Sequence, residues 1–594
     1  MSENPAQTVK IPVEDHGLHK HNANVPRIFT GNFFEHLPVY SFEFKKGNRL
    51  KYTYSFFNRL QPLPVPALVT GQTKVCGFFV PYESIFRGWY DFDQKVPHVF
   101  SDGTSGFLSS ARYVSMSLLS KEFVGNTNLV SAATSADYDI LYIDSNNVTS
   151  YYYFRSLGAS VYKVLCALGL PLSFDENDTF EPNCLKVLAY LRIMYDHYFP
   201  LNYYQNTVAN QLYNLFTADI PSSIHVDESD LLDLLTHCVF GWFDSSFVES
   251  CWDKPVAPNV GVGLVSVKDT SNDANPMHVT NSPTDAGSPS ASYRPSNGTP
   301  YVANAVSGST TVPAGVITQF VIDALQSVNN FVKRHGLSGN RIIENFLSSR
   351  GVSLPDDVYP MSSKLADYSI PFEITAVENN SDTNLGELAG RGETSGKELR
   401  FNARFKSDGL FFIFHTSIPD SEVLCATDPY NLCKSPLDFH HSGFEKLGVD
   451  AVPSRVLFQD TIATHNRTIN SQLFGFLKRY YYGNVDVPLI FGDFRVVSRG
   501  SQSLGEYHTF RSLDTYLAAN NYNLAHSYDF LRVGADHHQF GRIFYTGKGD
   551  HFTVVARIKG KRWTNFLPFG DAYDWDDDEM NQKVVVQNSG NDTI

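Results

Sequence analysis

Charge is scarce in this chain: Asp, Glu, Lys and Arg make up 18% of its 594 residues, where about a quarter is usual for soluble domains. A surface that asks for so little solvent suits burial in an assembly. The seven cysteines (76, 166, 184, 238, 251, 425 and 433) are odd in number, scattered and never spaced as Cys-x-x-Cys, which indicates neither a disulfide framework nor a zinc site and fits a reducing compartment. No stretch approaches the about 18 uninterrupted apolar residues of a membrane span, and the N-terminal residues carry no apolar signal core. The chain is therefore expected to be neither membrane-embedded nor secreted by that route, and sequons such as the one at Asn147 carry no meaning. No fixed-period repeat is present, which argues against solenoids and propellers. The net charge of -15 excludes a chain that binds nucleic acid over its whole surface, so any polyanion contact must be a local basic patch.

Aromatic residues are abundant, with 45 Phe and 32 Tyr, enough for a large core and for contacts between molecules. Strands are legible at both ends. In "LKYTYSFF" Leu50, Tyr52, Tyr54 and Phe56 share one face and Lys51, Thr53 and Ser55 the other, the alternation of a half-buried antiparallel strand. Near the C-terminus Phe552, Val554, Ala556 and Ile558 alternate with Thr553, Arg557 and Lys559 in the same way. "KVCGFFV" (Lys74 to Val80) is apolar on both faces and reads as a fully buried strand, and "GLFFIFHT" (Gly409 to Thr416) is another strongly apolar strand.

Between these strands the period changes to that of helices. Val161, Val164, Leu165 and Leu168 predict a helix stopped by Gly169; Leu185 to Phe199 predicts an aromatic-rich one ending at Pro200; Leu231, Leu232, Leu235 and Val239 predict a third up to Gly241. Further stripes at Val321, Leu325, Val328 and Val332 and at Ile342, Ile343, Phe346 and Leu347 predict a helix pair. The prolines at 62, 64 and 66 forbid a paired central strand and require an extended connector. Residues 265 to 315 are rich in Ser, Thr, Asn, Pro and Gly and read as an exposed loop.

The segment "RLQPLPVPALVTGQTKVCGFFVPYESIFRGWYDF" resembles the major capsid protein of Microviridae, small icosahedral phages with single-stranded DNA. The likeness recurs in order: "YLRIMYDHYFPLNYYQN", "IDALQSVNNFVKRHGLSGNRIIENFLSSRGVSLPDDVY", "NLGELAGRG", "SDGLFFIFHTSIPD", "NSQLFGFLKRYYYGNVDVP", "RSLDTYL" and "DHFTVVARIKGKRWTNFLPFGD". It spans roughly Phe34 to Trp575. The resemblance implies a mainly β chain, a single eight-stranded antiparallel jelly roll with large helical and loop insertions, which self-assembles into an icosahedral shell around the genome. Its implied partners are copies of itself, single-stranded DNA on the inner face, a minor capsid or DNA-delivery protein, a small basic DNA-condensing protein and a host surface receptor. The implied location is the virion, assembled in the bacterial cytoplasm. On this basis the chain divides into an N-terminal arm (1–33), first strands (34–100), a helical insertion (101–264), the polar loop (265–315), a helix pair and connecting loop (316–400), the remaining strands (401–575) and an acidic tail (576–594).

Enzyme signals are weak, and no catalytic, cofactor or metal residues are expected. "GRGETSGKE" is one residue too long between Gly390 and Gly396 for a phosphate-binding loop and has Glu398 where Ser or Thr is needed, so it reads as an ordinary loop. The histidines at 16, 19 and 21, at 440 and 441, and at 537 and 538 read as surface or interface residues, and Asp574, Asp576 and Asp578 as a solvated acidic face rather than a calcium site. Two places mix cations with aromatics, as single-stranded nucleic acid favours: Lys559, Lys561, Arg562 and Trp563, and Lys478 and Arg479 before three tyrosines. Lys10, Lys20 and Arg27 form a weaker third. The alternative functional class is a jelly-roll adhesin or lectin using exposed aromatic rings; a glycosidase with an acidic pair comes behind it, because no spacing picks out a pair.

Overall fold

The structure is a computed structural model. It describes residues 18–60, 70–100, 103–116, 138–145, 148–155, 158–170, 179–198, 207–217, 224–241, 361–378, 388–420, 427–436, 438–444, 449–457, 473–485 and 550–566, with a few shorter pieces. The chain is mainly β with antiparallel sheets. Eight long strands make one sheet: β1 (His19–Gly31), β2 (Leu37–Phe44), β3 (Arg49–Leu60), β4 (Gly71–Pro81), β5 (Ser363–Glu378), β6 (Leu388–Arg404), β7 (Gly409–Pro419) and β8 (Phe552–Thr564). Their order is β1-β8-β3-β6-β5-β4-β7-β2, and every neighbouring pair is antiparallel. Strand β5 pairs with β4 along Ser363 to Phe372 and with β6 along Glu373 to Glu378, so it joins two halves, β1-β8-β3-β6 and β5-β4-β7-β2.

The core lies between the halves. Alternation in β3 buries Leu50, Tyr52, Tyr54 and Phe56, and β8 adds Phe552, Val554, Ala556 and Ile558. From the other half Phe411 comes within ring contact of Tyr52, and His415 of Tyr54 and Phe56. Segments some 500 residues apart meet directly: Phe56 stands opposite Ala556 and Leu50 opposite Arg562.

The two halves differ on their outer sides. Four helices, α1 (Gly158–Leu168), α2 (Leu185–Ile193), α3 (Thr207–Thr217) and α4 (Glu228–Cys238), gather over the β4-β7-β2 side. Helix α2 is buried almost all round; Tyr190 stacks on Phe414 and its hydroxyl donates to the His36 carbonyl at 3.2 Å. It continues as one wider turn, Met194–Tyr198, and Arg192 bridges to Asp196 at 2.9 Å. Covered from both sides, β4 and β7 need apolar residues at successive positions, hence their unbroken apolar runs. Helix α4 is capped by Asp227, whose carboxylate accepts from the Ser229 and Asp230 amides.

A buried ion network fastens α1 to the β1–β2 corner. Glu35 is fully buried and accepts from the Asn32 amide at 2.7 Å, from the Ser160 hydroxyl and from Lys163 at 2.8 Å. Lys163 also reaches Asp550 at 2.8 Å. Burial opposes the Lys163 charge, yet the two carboxylates hold its pKa above the ordinary lysine value.

Three expectations change. The segment to residue 33 is more than an arm, because His19–Gly31 is an edge strand paired with β8 along its length. Residues 363–404 contribute two sheet strands where a connecting loop was expected. "GRGETSGKE" lies inside β6, not in a loop: a Cβ at Gly392 would meet the Leu60 side chain at 2.3 Å, and one at Gly396 the Phe56 ring at 2.3 Å. These glycines make room for neighbouring side chains. The proline run, the helix pair after residue 320, most of the polar loop, Lys10, His16, His537, His538, Asp576 and Asp578 lie outside the described residues.

Candidate nucleic-acid interface

The outer side of β1-β8-β3-β6 carries no helical layer among the described residues, and register decides what it presents. Successive rows run across the four strands. Lys20, Trp563, Arg49 and Arg404 form the first; Asn22, Lys561, Lys51 and Asn402 the second; Asn24, Lys559, Thr53 and Arg400 the third. Next come Pro26, Arg557 and Ser55 beside Glu398, whose amide donates to the Ser55 hydroxyl at 3.3 Å where β6 bulges. Ile28, Val555, Phe57 and Ser395 follow, then Thr30, Thr553, Arg59 and Glu393.

Among the described residues of these rows, the face holds Lys20, Arg49, Lys51, Arg59, Arg400, Arg404, Arg557, Lys559 and Lys561 against Glu393 and Glu398. Arg400 pairs with Glu398 at 3.3 Å, but both are well exposed, so the pair does little to neutralise the face. Lys20, Arg49, Lys51, Arg404, Arg557, Lys559 and Lys561 form no ion pair with a described residue. Neighbouring strands lie ~4.8 Å apart and alternate residues ~6.7 Å apart along each strand, so the cations form a grid at the scale of a polynucleotide backbone. The adjoining row is apolar: Ile28 is 78% exposed, Val555 55% and Phe57 44%. A grid of exposed cations, seven of them without an ion-pair partner among the described residues, beside an exposed ring offers phosphate neutralisation and base stacking together.

The structure separates the residues expected from the sequence. Lys559, Lys561 and Trp563 lie on the face. Arg562 does not, because the residue between two outward positions of a strand points inward; its guanidinium lies 3.9 Å from the Phe42 ring centroid. It packs the strand against β2 and β3. Lys478 and Arg479 belong elsewhere, at the end of a two-stranded hairpin, Val449–Pro453 with Leu473–Lys478, outside the eight-stranded sheet. There the Arg479 guanidinium lies 5.0 Å from the Tyr480 ring centroid, and the Lys478 side chain is outside the described residues. Lys20 joins the face opposite Trp563, whereas Arg27 turns to the Val39 carbonyl, to which its Nε donates at 3.0 Å.

Arg49, Lys51, Arg59, Arg400, Arg404 and Arg557 were not singled out from the sequence as a binding site. The usable signal was their phase: in β3 and β8 the cations occupy the positions opposite the apolar alternation. Elsewhere, His21 bonds the Phe566 carbonyl at 2.8 Å, His440 lies 5.4 Å from the Tyr480 ring, and no group of three or more metal-ligating side chains occurs among the described residues. No known protein-family model matches the chain, and no curated protein matches it either.

Proposed function

We propose that this chain is the major capsid protein of a small single-stranded DNA phage of the Microviridae type, a structural protein without catalytic turnover. The observation that carries the reading is the concentration of nine cations on one open sheet face of a chain whose net charge is -15. That asymmetry is what a container needs if it is to hold a polyanion on one side only. The strand order supports a jelly roll: β1-β8-β3-β6 and β5-β4-β7-β2 are the two four-stranded halves that a doubled Greek key produces. The ordered sequence blocks, the aromatic content and the low charge support the shell. In this reading copies of the chain close around the genome, the basic face lies inward, and inserted segments outside the sheet meet the host. A delivery protein, a small basic protein and a receptor follow from the resemblance alone.

The test is negative-stain imaging of purified protein expressed with and without a circular single-stranded genome, combined with nuclease protection. Uniform round particles that shield the DNA are expected. A protein that stays monomeric at high concentration with the genome present overturns the proposal, and a glycan-array signal from that monomer would select the adhesin reading.

A further inference from the structure

The two open edges of the eight-stranded sheet, β1 and β2, meet at one bridge, where the Arg27 Nε donates to the Val39 carbonyl at 3.0 Å. Beside that bridge lies a cavity of about 590 Å³, inside the range of about 300–1,000 Å³ usual for small-molecule sites. Its sides are β1, β2 and the helix α1 that packs on β2, with Lys186 reaching in from the first turn of α2.

The lining combines two kinds of surface. Phe29, Leu37, Val39 and Leu168 give it apolar walls, while its charged residues are Arg27, Lys163 and Lys186, all cations. Lys163 is already held by Glu35 and Asp550, each at 2.8 Å. Arg27 and Lys186 form no ion pair with a described residue, which leaves two uncompensated positive charges against an apolar wall.

An added strand is the obvious occupant of a gap between sheet edges, but the chain is built against one. Pro26 and Pro38 supply no amide there. Strand β2 is also irregular at Val39, where its register with β7 slips between Pro38 and Tyr40, and the Val39 carbonyl is taken by Arg27. A compact ligand with an apolar body and an anionic head meets the walls and the charges without a strand ladder.

We propose that this cavity binds a medium-chain fatty carboxylate, its alkyl chain against Phe29, Leu37 and Val39 and its head group at Arg27 and Lys186. The site lies in the gap between edges and not on the basic rows, so the inference stands or falls independently of the capsid reading. Each methylene adds affinity in proportion to the apolar area it covers, and the head group adds charge-assisted hydrogen bonds. Because the ligand touches both edges and α1, its binding stabilises the fold.

The test is isothermal titration calorimetry of the full-length chain with hexanoate, octanoate and decanoate, and with octanol as the uncharged probe. Affinity should rise severalfold with each pair of added methylenes, and octanol should bind about tenfold more weakly than octanoate. Lys186→Gln should lose about tenfold for octanoate and leave octanol unchanged. Ala167→Trp fills the cavity from an exposed position on α1 and should abolish binding. Saturating octanoate should raise the melting temperature of the parent chain and not that of Ala167→Trp; if that variant does not fold, the Lys186→Gln contrast decides. The inference is overturned if none of the acids binds saturably, if folded Ala167→Trp binds as the parent does, or if octanol binds as tightly as octanoate. Displacement of bound octanoate by a single-stranded oligonucleotide overturns it too, by making the cavity an extension of the nucleic-acid face.

Discussion

Replacing Arg557, Lys559 and Lys561 together by glutamine removes the central file of cations from the face without touching the core, since all three side chains point outward and are exposed. Such surface changes alter stability by about 0.5 kcal/mol or less, so any loss of binding reports the face. Each phosphate neutralised on a single strand contributes about 0.7 to the slope of log affinity against log salt, so three lost contacts should flatten that slope by about 2. Over a fourfold rise in salt, the parent chain should then lose about 20-fold more affinity than the triple variant. The measurement is fluorescence anisotropy with a labelled single-stranded oligonucleotide from 50 to 200 mM salt. Arg562→Gln serves as the contrast. Its guanidinium packs over Phe42, so its loss should lower the melting temperature and leave the slope nearly unchanged. An unchanged slope in the triple variant, or an equal change in Arg562→Gln, would refute the assignment of the face.

Gly560 sits in β8 between the two outward lysines at φ 157°, where an added Cβ would meet the Lys51 carbonyl oxygen at 2.1 Å. Gly560→Ala should therefore part β8 from β3 and cost about 2 kcal/mol or more in a urea melt; an unaltered midpoint would show that the strands can shift freely. Lys163→Met leaves the fully buried Glu35 without its cation and should cost about 3–5 kcal/mol, with Glu35→Gln/Lys163→Met recovering part of it; a double variant no more stable than Lys163→Met alone would contradict this. Burial holds the His415 pKa down to about 3, and burial with the nearby Lys74 charge does the same for His36. Both rings are neutral when folded, while the unfolded chain takes up protons near pH 6.5. Stability should thus be fully present above that pH and fall as pH drops toward 3, by roughly 2–3 kcal/mol per ring at pH 4.5. Denaturant midpoints that stay flat from pH 7.5 to 4.5 would rule out this linkage.

Much of the architecture was legible because its signals are local. Alternation in β3 and β8 and the double-sided apolar runs of β4 and β7 each depend on a few consecutive residues, and the structure buries those side chains as expected. Helices α1, α2 and α4 were equally plain from their stripes and stops. Strand β6 was missed because its glycines carry turn chemistry in the sequence, whereas in the sheet they yield space to Leu60 and Phe56. Strand β1 was missed because its residues alternate only weakly, and pairing with β8 supplies the order that its own pattern lacks.

The candidate site shows where local reading stops. "KGKRW" announced a cationic cluster, but adjacent residues of a strand face opposite ways, which removes Arg562 from it. Lys478 and Arg479 share the same composition and belong to a different sheet. What the sequence alone determined was the kind of residue on each side of each strand, since backbone pleating converts spacing directly into facing. Which strands became neighbours, and so which cations from residues 20, 49, 404 and 561 share one patch, was decided only by tertiary pairing, because hydrogen-bonded register between distant segments depends on the closing of the whole core and leaves no mark in any short stretch of chain.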